Sequence, residues 1–458
     1  MPSTKLPRRS FLKTAAASPA AAVAAPAMFA VAAPAMFARA APAMLAGAEA
    51  SKKFRLGMIG MGRRGRNNLK SILRQPEIEV VAISEIYKPN VELALKMVPG
   101  AKVYADFRDL IAAPDIDAIC ICTPDHWHPY MAVEACKAGK DVYVEKPISV
   151  VVEEGRMMVK AARKYNRIVQ VGTQQRSGKH FQKVVEMIQG GKIGDIAFVR
   201  AWNYSNQLPE EMGNPPDTAP PADLDWNMWL GPAPERPFNK NRFGVDPNHY
   251  SHFRWFWDYA GGMMTDWGIH LLDIVMWAMD VEGPSVISTV GGKFLIQDNR
   301  ETPDLILANY EFPKFVCVYE NRITNGEAMF GRDYGITFHG SKGTMFVDRQ
   351  RYEIVPEMKG LDPRGYNSEA LMVREEGRAV NHSTDDHWKD FISSMKSRKP
   401  PISDIEIGHR STSMALLGNV SLRSRQRVEW DPKTETTPNK EAQTYLKRQY
   451  REPWKLTL

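Results

Sequence analysis

The chain has 458 residues, of which 43% are hydrophobic and 25% charged, a composition typical of a soluble globular protein with room for two domains. Its formal net charge is +7, but residues 1–50 hold five basic side chains and one acidic one, so the rest carries 55 basic and 52 acidic residues. A body so nearly balanced in charge gives no reason to expect a nucleic acid as partner.

The chain begins with a pattern typical of export signals. The paired arginines of "PRRSFLK", Pro7 to Lys13, precede a run of small apolar residues from Ala15 to Ala48. This pattern predicts a twin-arginine signal over residues 1–50, and hence a periplasmic or secreted protein. A tail without a targeting role is the alternative. No membrane anchor is expected in the mature form, because alanine is weakly hydrophobic and the run is interrupted by Pro19, Pro26, Pro34 and Pro42.

Residues 51–172 alternate predicted strands with helical stretches, which indicates an α/β domain with a parallel sheet covered by helices on both faces. The strand candidates are Lys53–Gly60, Ile78–Ser84, Lys102–Ala105, Asp117–Thr123, Asp141–Lys146 and Arg167–Gly172. Among the cysteines, Cys120 and Cys122 lie two apart in one strand and cannot easily form a disulfide with each other. These two, Cys136 and Cys317 are expected to be buried apolar thiols.

A glycine motif follows the first strand. "GMGRRG" places Gly60, Gly62 and Gly65 in the spacing G-x-G-x-x-G where a helix begins, and the second strand ends at Glu85, 20 residues after Gly65. In this context the motif predicts a Rossmann domain that binds a dinucleotide, with the pyrophosphate at the helix N-terminus. The predicted cofactor-binding residues of this region are Gly60, Gly62, Arg63, Arg64, Gly65 and Glu85.

The acid after the second strand bears on the choice of cofactor. Glu85 can accept hydrogen bonds from both ribose hydroxyl groups and would repel a 2′-phosphate, which favours NAD over NADP. The nearby cations Arg63, Arg64 and Lys88 soften this preference. Because nicotinamide cofactors are made in the cytoplasm and the twin-arginine route exports folded proteins, we expect the chain to fold around its cofactor and to hold it tightly.

In such sheets the ligand lies beyond the carboxyl ends of the strands. One strand ends in "TPDHWH" and the next in "EKP", so we expect six residues near the cofactor, namely Thr123, Pro124, His126, His128, Glu145 and Lys146. Pro147 keeps Lys146 out of the helical region, which leaves a lysine at the rim of the sheet. This amine could take a proton from a hydroxyl group of the substrate or hold that group in place.

Asp266 and His270 follow the glycine pair Gly261-Gly262 and are spaced i, i+4 at the start of a predicted helix, so they share one face. Such a pair suits proton transfer, with the histidine as acid or base. The structural alternative is that Asp266 caps the helix while His270 is packed. No third ligand falls at a recognisable spacing for a metal site, and none is predicted.

The segments "GMGRRG", "TPDHWH", "EKP", "GTQQR" and "GGMMTDWGIH", in this order, resemble the Gfo/Idh/MocA family of nicotinamide-dependent sugar oxidoreductases. The resemblance covers about residues 53–430. It implies that residues 173–430 form a second α/β domain, for substrate and oligomer contacts, with an open, mostly antiparallel sheet. A dimer or tetramer is then expected.

The resemblance also implies roles for individual residues. Lys146, Asp266 and His270 match the catalytic positions, with His270 as acid or base, Lys146 assisting it and Asp266 positioning the substrate or the histidine. Gln174 would contact the cofactor, and Gln175 and Arg176 the substrate together with the catalytic three.

The second half of the chain shows apolar–polar alternation in six strand candidates, as an open antiparallel sheet requires. Between them, the Pro- and Trp-rich insert Ser205–Asn239 is expected to cover the pocket. Four tryptophans could stack on sugars or simply pack: Trp226, Trp229, Trp255 and Trp257. Helices near Asp385–Ser397 and Ile405–Arg425 are expected on the Rossmann domain. The polar tail 431–458 is expected to be loose or to wrap a neighbouring subunit.

The predicted function is an exported, NAD-dependent oxidoreductase that acts on a secondary hydroxyl group of a sugar or glycoside, at carbon 3. One alternative is an NAD-dependent glycosidase that works by transient oxidation and elimination, as α-N-acetylgalactosaminidases of related sequence do. In that branch the lysine of "EKP" is replaced, so Lys146 favours the oxidoreductase. The other alternative is a non-catalytic sugar-binding protein that retains NAD.

Overall fold

A computed structural model of the protein describes residues 53–360 and 369–458. The predicted export signal, residues 1–50, therefore lies outside the described residues. Within the described ranges no helix combines the length and the apolar character needed to cross a membrane.

The first domain is built on a parallel sheet with the strand order β3-β2-β1-β4-β5-β6. Its strands are β1 Phe54–Ile59, β2 Ile78–Ser84, β3 Lys102–Tyr104, β4 Ala118–Ile121, β5 Asp141–Val144 and β6 Val169–Val171. Its helices are α1 Arg63–Ile72, α2 Lys88–Leu95, α3 Phe107–Ala112, α4 His128–Lys137 and α5 Val152–Lys164. β4 and β5 are buried along their whole length, which explains their continuous apolar character. The predicted Rossmann-like domain is confirmed.

The second domain carries a larger mixed sheet, ordered β14-β13-β12-β11-β7-β10-β9-β8-β15 in the described residues. Its strands are β7 Ile196–Tyr204, β8 Val286–Gly292, β9 Leu305–Glu311, β10 Val316–Arg322, β11 Tyr334–Gly340, β12 Gly343–Val347, β13 Arg351–Pro356, β14 Glu375–Arg378 and β15 Val428–Glu429. β7 and β10 pair in parallel, whereas the other neighbouring strands run antiparallel. The expected mostly antiparallel sheet is confirmed.

The helices of the second half are α6 Lys179–Gln189, α7 Trp226–Leu230, α8 Lys240–Phe243, α9 Gly262–Asp266, α10 Gly268–Met279, α11 Ser383–Ser397, α12 Ile405–Ser424 and α13 Lys440–Gln443. Of these, α11 packs on the first domain, and α6, α9, α10 and α12 pack on this sheet. Alternate residues of β9, Ile306, Ala308 and Tyr310, point into the core that these helices complete. This packing holds α9 and α10, which carry predicted catalytic residues, at the boundary with the first domain.

The two late helices pack on the first domain as the sequence predicts. Trp388 of α11 stacks on Tyr143 of β5 with ring centroids 4.2 Å apart. α12 passes so close to β6 that a Cβ on Gly408 would lie 2.3 Å from Val171 Cγ2. All four cysteines are buried and free, as expected.

The tail 431–458 is not loose, which corrects one of the two expectations, because it folds back on its own chain. The Trp454 and Trp127 rings meet edge to face at 4.8 Å. Arg448 donates to Glu154 at 2.6 Å, and Arg451 donates to the Gly231 carbonyl at 3.0 Å. Most residues of the tail are polar, so its sequence does not indicate that the segment is packed. Trp454 buries apolar surface, and Arg448 and Arg451 form hydrogen bonds to the rest of the chain.

Candidate functional site

A cavity of about 1040 Å³ opens where the carboxyl ends of β1, β4 and β5 face the second domain. The glycine turn forms one end of the cavity wall, and the starts of α9 and α10 contribute to the other. Parts of the predicted insert, including Asn206 to Met212 and Trp229, also line it, as expected for a segment that covers a pocket. The site is thus assembled from both domains.

The glycine turn leaves room for a ligand. Gly60 has φ +85°, a conformation that favours glycine, and a Cβ on Gly65 would lie 2.0 Å from the Gly60 carbonyl oxygen. A Cβ on Gly62 would meet nothing within 4 Å. α1 begins after Gly62 without a side-chain cap, so its first amide groups are available to an anion.

Glu85 lines the cavity and also braces the turn. Its carboxylate accepts hydrogen bonds from the backbone amides of Met61 at 2.7 Å, Ile86 at 2.8 Å and Tyr87 at 3.0 Å. Burial raises the pKa of Glu85, and these amide bonds oppose the rise. No feature of the sequence indicates these amide contacts of Glu85. Contact with a ribose stays a prediction, since carboxylate oxygens can accept further hydrogen bonds.

The residues present fit a dinucleotide. Besides the open turn and the uncapped helix, two buried side-chain oxygens beside the cavity, Glu145 Oε2 and Gln174 Oε1, have no hydrogen-bond partner. The other Glu145 oxygen accepts from Arg64 Nε and from Asn68 Nδ2, each at 2.8 Å. Across residues 53–360 and 369–458, no group of three His, Cys, Asp or Glu residues is arranged to hold a metal ion.

Lys146 and Asp266 meet inside the cavity. Lys146 Nζ lies 2.9 Å from Asp266 Oδ1 and 2.7 Å from the Asp266 carbonyl oxygen, and Arg254 Nε lies 3.2 Å from Oδ2. Burial disfavours the ionised carboxylate, but the charges of Arg254 and Lys146 outweigh burial and hold the pKa of Asp266 below its usual range. One carboxylate therefore anchors two cations.

His270 lies in α10 beside these groups, with 6% of its surface exposed. No hydrogen bond from a described residue reaches its ring, and Nδ1 is a buried atom without a partner. Burial, followed by the charges of Lys146 and Arg349, lowers the pKa of His270 well below its usual value. The imidazole is therefore neutral near pH 7 and can accept a proton.

The structure corrects the predicted Asp266–His270 pair. α9 ends at Asp266 and α10 begins at Gly268, so the two residues are not on one continuous helical turn, and no hydrogen bond joins their side chains. The capping alternative is also wrong, because Asp266 caps neither helix. The carboxylate turns to Lys146, 120 residues away in the chain, because charge attraction outweighs local spacing.

Gln175 and Arg176 are predicted substrate contacts, but neither lines the cavity, whereas Gln174 does. Gln175 Nε2 donates to the His270 carbonyl at 3.1 Å, and Arg176 forms a buried ion pair with Asp273 at 2.8 Å. The three residues lie in a 3₁₀ helix, Gln174–Ser177, in which successive side chains point about 120° apart. Gln175 and Arg176 therefore hold α10 in place behind His270.

The predicted cofactor-binding residues of "TPDHWH" likewise include some that line the cavity and one that does not. Thr123, Pro124 and His128 line the cavity, and the two His128 ring nitrogens lie 2.7 Å from the Pro147 carbonyl oxygen and 2.8 Å from that of Thr123. His126, in contrast, does not occupy its predicted position near the cofactor. It is buried outside the cavity lining, with Nε2 3.1 Å from the Trp229 carbonyl oxygen, because the 3₁₀ turn Asp125–Trp127 directs it toward the insert.

Several cavity residues were missed by sequence reasoning. Arg254, Trp267 and Arg349 line the cavity near His270. No motif marks the two arginines, and Trp267 stands within "GGMMTDWGIH" without a predicted role. Of the four tryptophans considered, Trp229 and Trp255 line the cavity, whereas Trp226 and Trp257 do not. Trp226 stacks on Trp229 at 4.6 Å, and Trp257 packs under Arg423. Only the folded arrangement separates these roles.

Comparison with known proteins agrees with this architecture. Residues 54–173 match a model described as "Oxidoreductase family, NAD-binding Rossmann fold", and residues 196–299 match one described as "Oxidoreductase family, C-terminal alpha/beta domain". The chain is 23% identical to a myo-inositol 2-dehydrogenase of Thermotoga maritima over 375 residues, which cover 82% of this chain and 98% of the relative.

Two further relatives extend the comparison. The uncharacterized oxidoreductase YrbE of Bacillus subtilis is 26% identical over 305 residues, which cover 66% of this chain and 75% of that protein. A solved structure of levoglucosan dehydrogenase in complex with NADH and levoglucosan superposes with a TM-score of 0.63 at 17% identity, covering 82% of this chain and 99% of that one. The latter likeness is one of fold.

Proposed function

The chain belongs to the Gfo/Idh/MocA family of NAD-binding oxidoreductases, and we propose that it oxidises a secondary hydroxyl group of a sugar or glycoside, outside the cytoplasm, with NAD that stays bound. The observation that carries this proposal is the convergence of Lys146 and a neutral His270 in the cavity that the glycine turn opens into. Relatives named for inositol and levoglucosan support it, since both compounds carry ring hydroxyl groups.

NAD, when bound, supplies the hydride acceptor. The uncapped start of α1 would bind the pyrophosphate of NAD. The unpartnered oxygens of Glu145 and Gln174 would accept hydrogen bonds from hydroxyl or amide groups of NAD. In the substrate region, the neutral imidazole of His270 takes the proton of the reacting hydroxyl group. The Lys146 ammonium, held by Asp266, donates a hydrogen bond to the hydroxyl oxygen and stabilises the negative charge that develops there as the proton leaves.

The test of this proposal uses the protein as purified, with its bound cofactor. Single sugars and methyl glycosides are added while the near-ultraviolet absorbance of reduced nicotinamide is followed. We expect at least one sugar to reduce the cofactor, and nitrophenyl glycosides to remain intact. Cleavage of a nitrophenyl α-N-acetylgalactosaminide without net reduction would instead establish a glycosidase. Sugar binding with neither reaction would establish a binding protein.

Retention of the cofactor is supported by a segment of the second domain that lies over the glycine turn. We define residues 244–251 as the strap. Arg63 of α1 stacks on the ring of Tyr250 at 4.4 Å, and Arg66 donates a hydrogen bond to the Pro247 carbonyl oxygen. Because the strap is fastened to the helix that receives the pyrophosphate, it would have to move before the cofactor could leave. Slow release suits an enzyme that works away from the cytoplasmic cofactor pool.

Export by the twin-arginine route stays a proposal that rests on the sequence of residues 1–50. Arg8→Lys combined with Arg9→Lys keeps the charge of the signal but removes the arginine pair. We expect the wild-type chain in the periplasmic fraction in a shortened form, and the double variant in the cytoplasmic fraction at full length. The measurement is immunoblotting of cell fractions. Equal periplasmic amounts of both would rule out this route.

A further inference from the structure

Arg349 is a cation that the site described above does not use. It lies in the loop between β12 and β13 and lines the cavity. Its Nε donates to Gln175 Oε1 at 3.0 Å, and its guanidinium carbon lies 4.6 Å from the centre of the Trp267 ring. These two contacts fix the plane of the guanidinium group, while no hydrogen bond within the described residues uses its two terminal nitrogens.

The other buried or half-buried cations of the cavity have carboxylate partners. Arg64 pairs with Glu145 at 2.8 Å, and Arg300 pairs with Asp298 at 2.7 Å. Lys146 and Arg254 share the single carboxylate of Asp266. Arg349 forms no ion pair with any carboxylate of residues 53–360 or 369–458. The region around His270 therefore holds three cations and one paired carboxylate, which is an excess of positive charge.

The remaining acids of the cavity do not cancel this excess. Asp125 is buried near Lys146 and Asp266, and burial raises its pKa well above its usual value, which favours the uncharged form. Glu210 and Asp246 lie on the insert and the strap, where both are exposed to solvent. Glu211 accepts a hydrogen bond from the Gln297 amide at 2.8 Å, and Glu85 accepts three amide bonds at the glycine turn. Keeping an arginine half-buried without a counterion is costly, so a negative group of the substrate is the expected partner.

We propose that the substrate is a sugar carrying a carboxylate group, such as a uronide, and that Arg349 binds this carboxylate. The proposal rests on the proposed oxidation of a sugar hydroxyl group and names the substrate class of that site. The two free terminal nitrogens of a planar guanidinium group match the two oxygens of a planar carboxylate. Because Gln175 links Arg349 to the His270 carbonyl, the same contact would place the sugar ring against the catalytic histidine.

The experiment compares matched sugars on the cofactor-loaded enzyme, with a redox dye that reoxidises the bound NADH so that turnover continues. Methyl glycosides of glucuronate, galacturonate and mannuronate are each paired with the neutral methyl hexoside of the same configuration, and each pair differs only at carbon 6. We expect a uronide to exceed its neutral partner in kcat/KM by about tenfold or more, the range of a charge-assisted hydrogen bond. Binding of each sugar is also measured by quenching of tryptophan fluorescence.

Variants then assign the preference to one side chain. Arg349→Gln is expected to lose about 10–100-fold in kcat/KM for the uronide, with the loss mainly in KM, and to lose clearly less for the neutral sugar at the same pH. Arg349→Lys should recover part of the loss, because lysine restores the positive charge but not the two coplanar nitrogen donors of the guanidinium group. Arg378→Gln removes the same charge from exposed strand β14, away from the cavity lining, and should leave both substrates unchanged.

The outcomes separate the two proposals. Equal turnover of neutral and carboxylated sugars, or an equal loss on both in Arg349→Gln, overturns the carboxylate assignment and leaves the oxidation intact. Preference for a hexose 6-phosphate over the uronide also overturns it. Uronide binding that depends on Arg349 without any reduction of the cofactor supports the assignment and overturns the proposed oxidation.

Discussion

His270→Asn is expected to lower kcat by about 10²–10⁴-fold, the usual contribution of a general acid or base, while NAD remains bound. The buried imidazole is the proposed base, and burial is the first reason that its pKa lies low. Asparagine keeps a polar side chain but cannot take up the proton. Turnover is measured with a saturating redox dye that reoxidises the bound NADH, and cofactor content is measured after denaturation.

The His270→Asn variant should fold normally, because the histidine ring makes no hydrogen bond with a described residue that the substitution could remove. His339→Asn on β11 serves as the matched control, since that histidine lies outside the cavity lining. Turnover of His270→Asn within a factor of a few of the wild type, with full cofactor content, would remove the imidazole from the mechanism.

Lys146→Met should lower kcat/KM by about 10²-fold or more and should move the acid limb of its pH profile to higher pH. The loss reflects the missing hydrogen bond to the hydroxyl oxygen. The pH shift follows from charge, because the Lys146 ammonium disfavours the imidazolium form of His270. Removing the ammonium also leaves Asp266 less neutralised, which again favours imidazolium. Both effects raise the pKa of His270.

The direction of the shift in the pH profile follows from the pKa of His270. In the wild type, activity falls as decreasing pH protonates His270, with a midpoint below the usual histidine value, since its folded pKa is lowered. In Lys146→Met the midpoint lies at higher pH. Lys160→Met removes an exposed lysine of α5 as the matched control and should change neither rate nor midpoint. An unmoved midpoint in Lys146→Met, or one displaced to lower pH, would contradict the assignment of this limb to His270.

Much of the first domain could be predicted because its signals are local. A buried parallel strand must be apolar along its length, and a turn that approaches a phosphate needs glycine at fixed spacing, so the runs before Gly60 and Glu85 identify β1 and β2. The same reasoning placed Lys146 just after β5, because Pro147 disfavours a helical backbone conformation at the residue before it. Alternation likewise indicated the main strands of the second sheet. Comparison with known proteins confirmed the family and the fold.

The side-chain directions near the site could not be read in this way. Gln175 and Arg176 follow a strand end just as Gln174 does, yet a 3₁₀ turn points them behind His270. His126 stands in a motif with Thr123 and turns away toward the insert. In each case, successive side chains of a 3₁₀ turn point in different directions, so neighbouring residues face either the cavity or the core. The spacing of residues in the sequence does not show which direction each side chain takes.

By itself, the sequence determined a two-domain fold, a glycine turn for NAD, and the presence of a lysine, an aspartate and a histidine suited to proton transfer. Only the tertiary structure decided that Asp266 pairs with Lys146 rather than His270, and that Arg254 and Arg349 join them. The reason is physical. Backbone conformation depends on neighbouring residues, whereas the ion pair of Lys146 with Asp266 depends on the distance between segments that lie 120 residues apart in the chain.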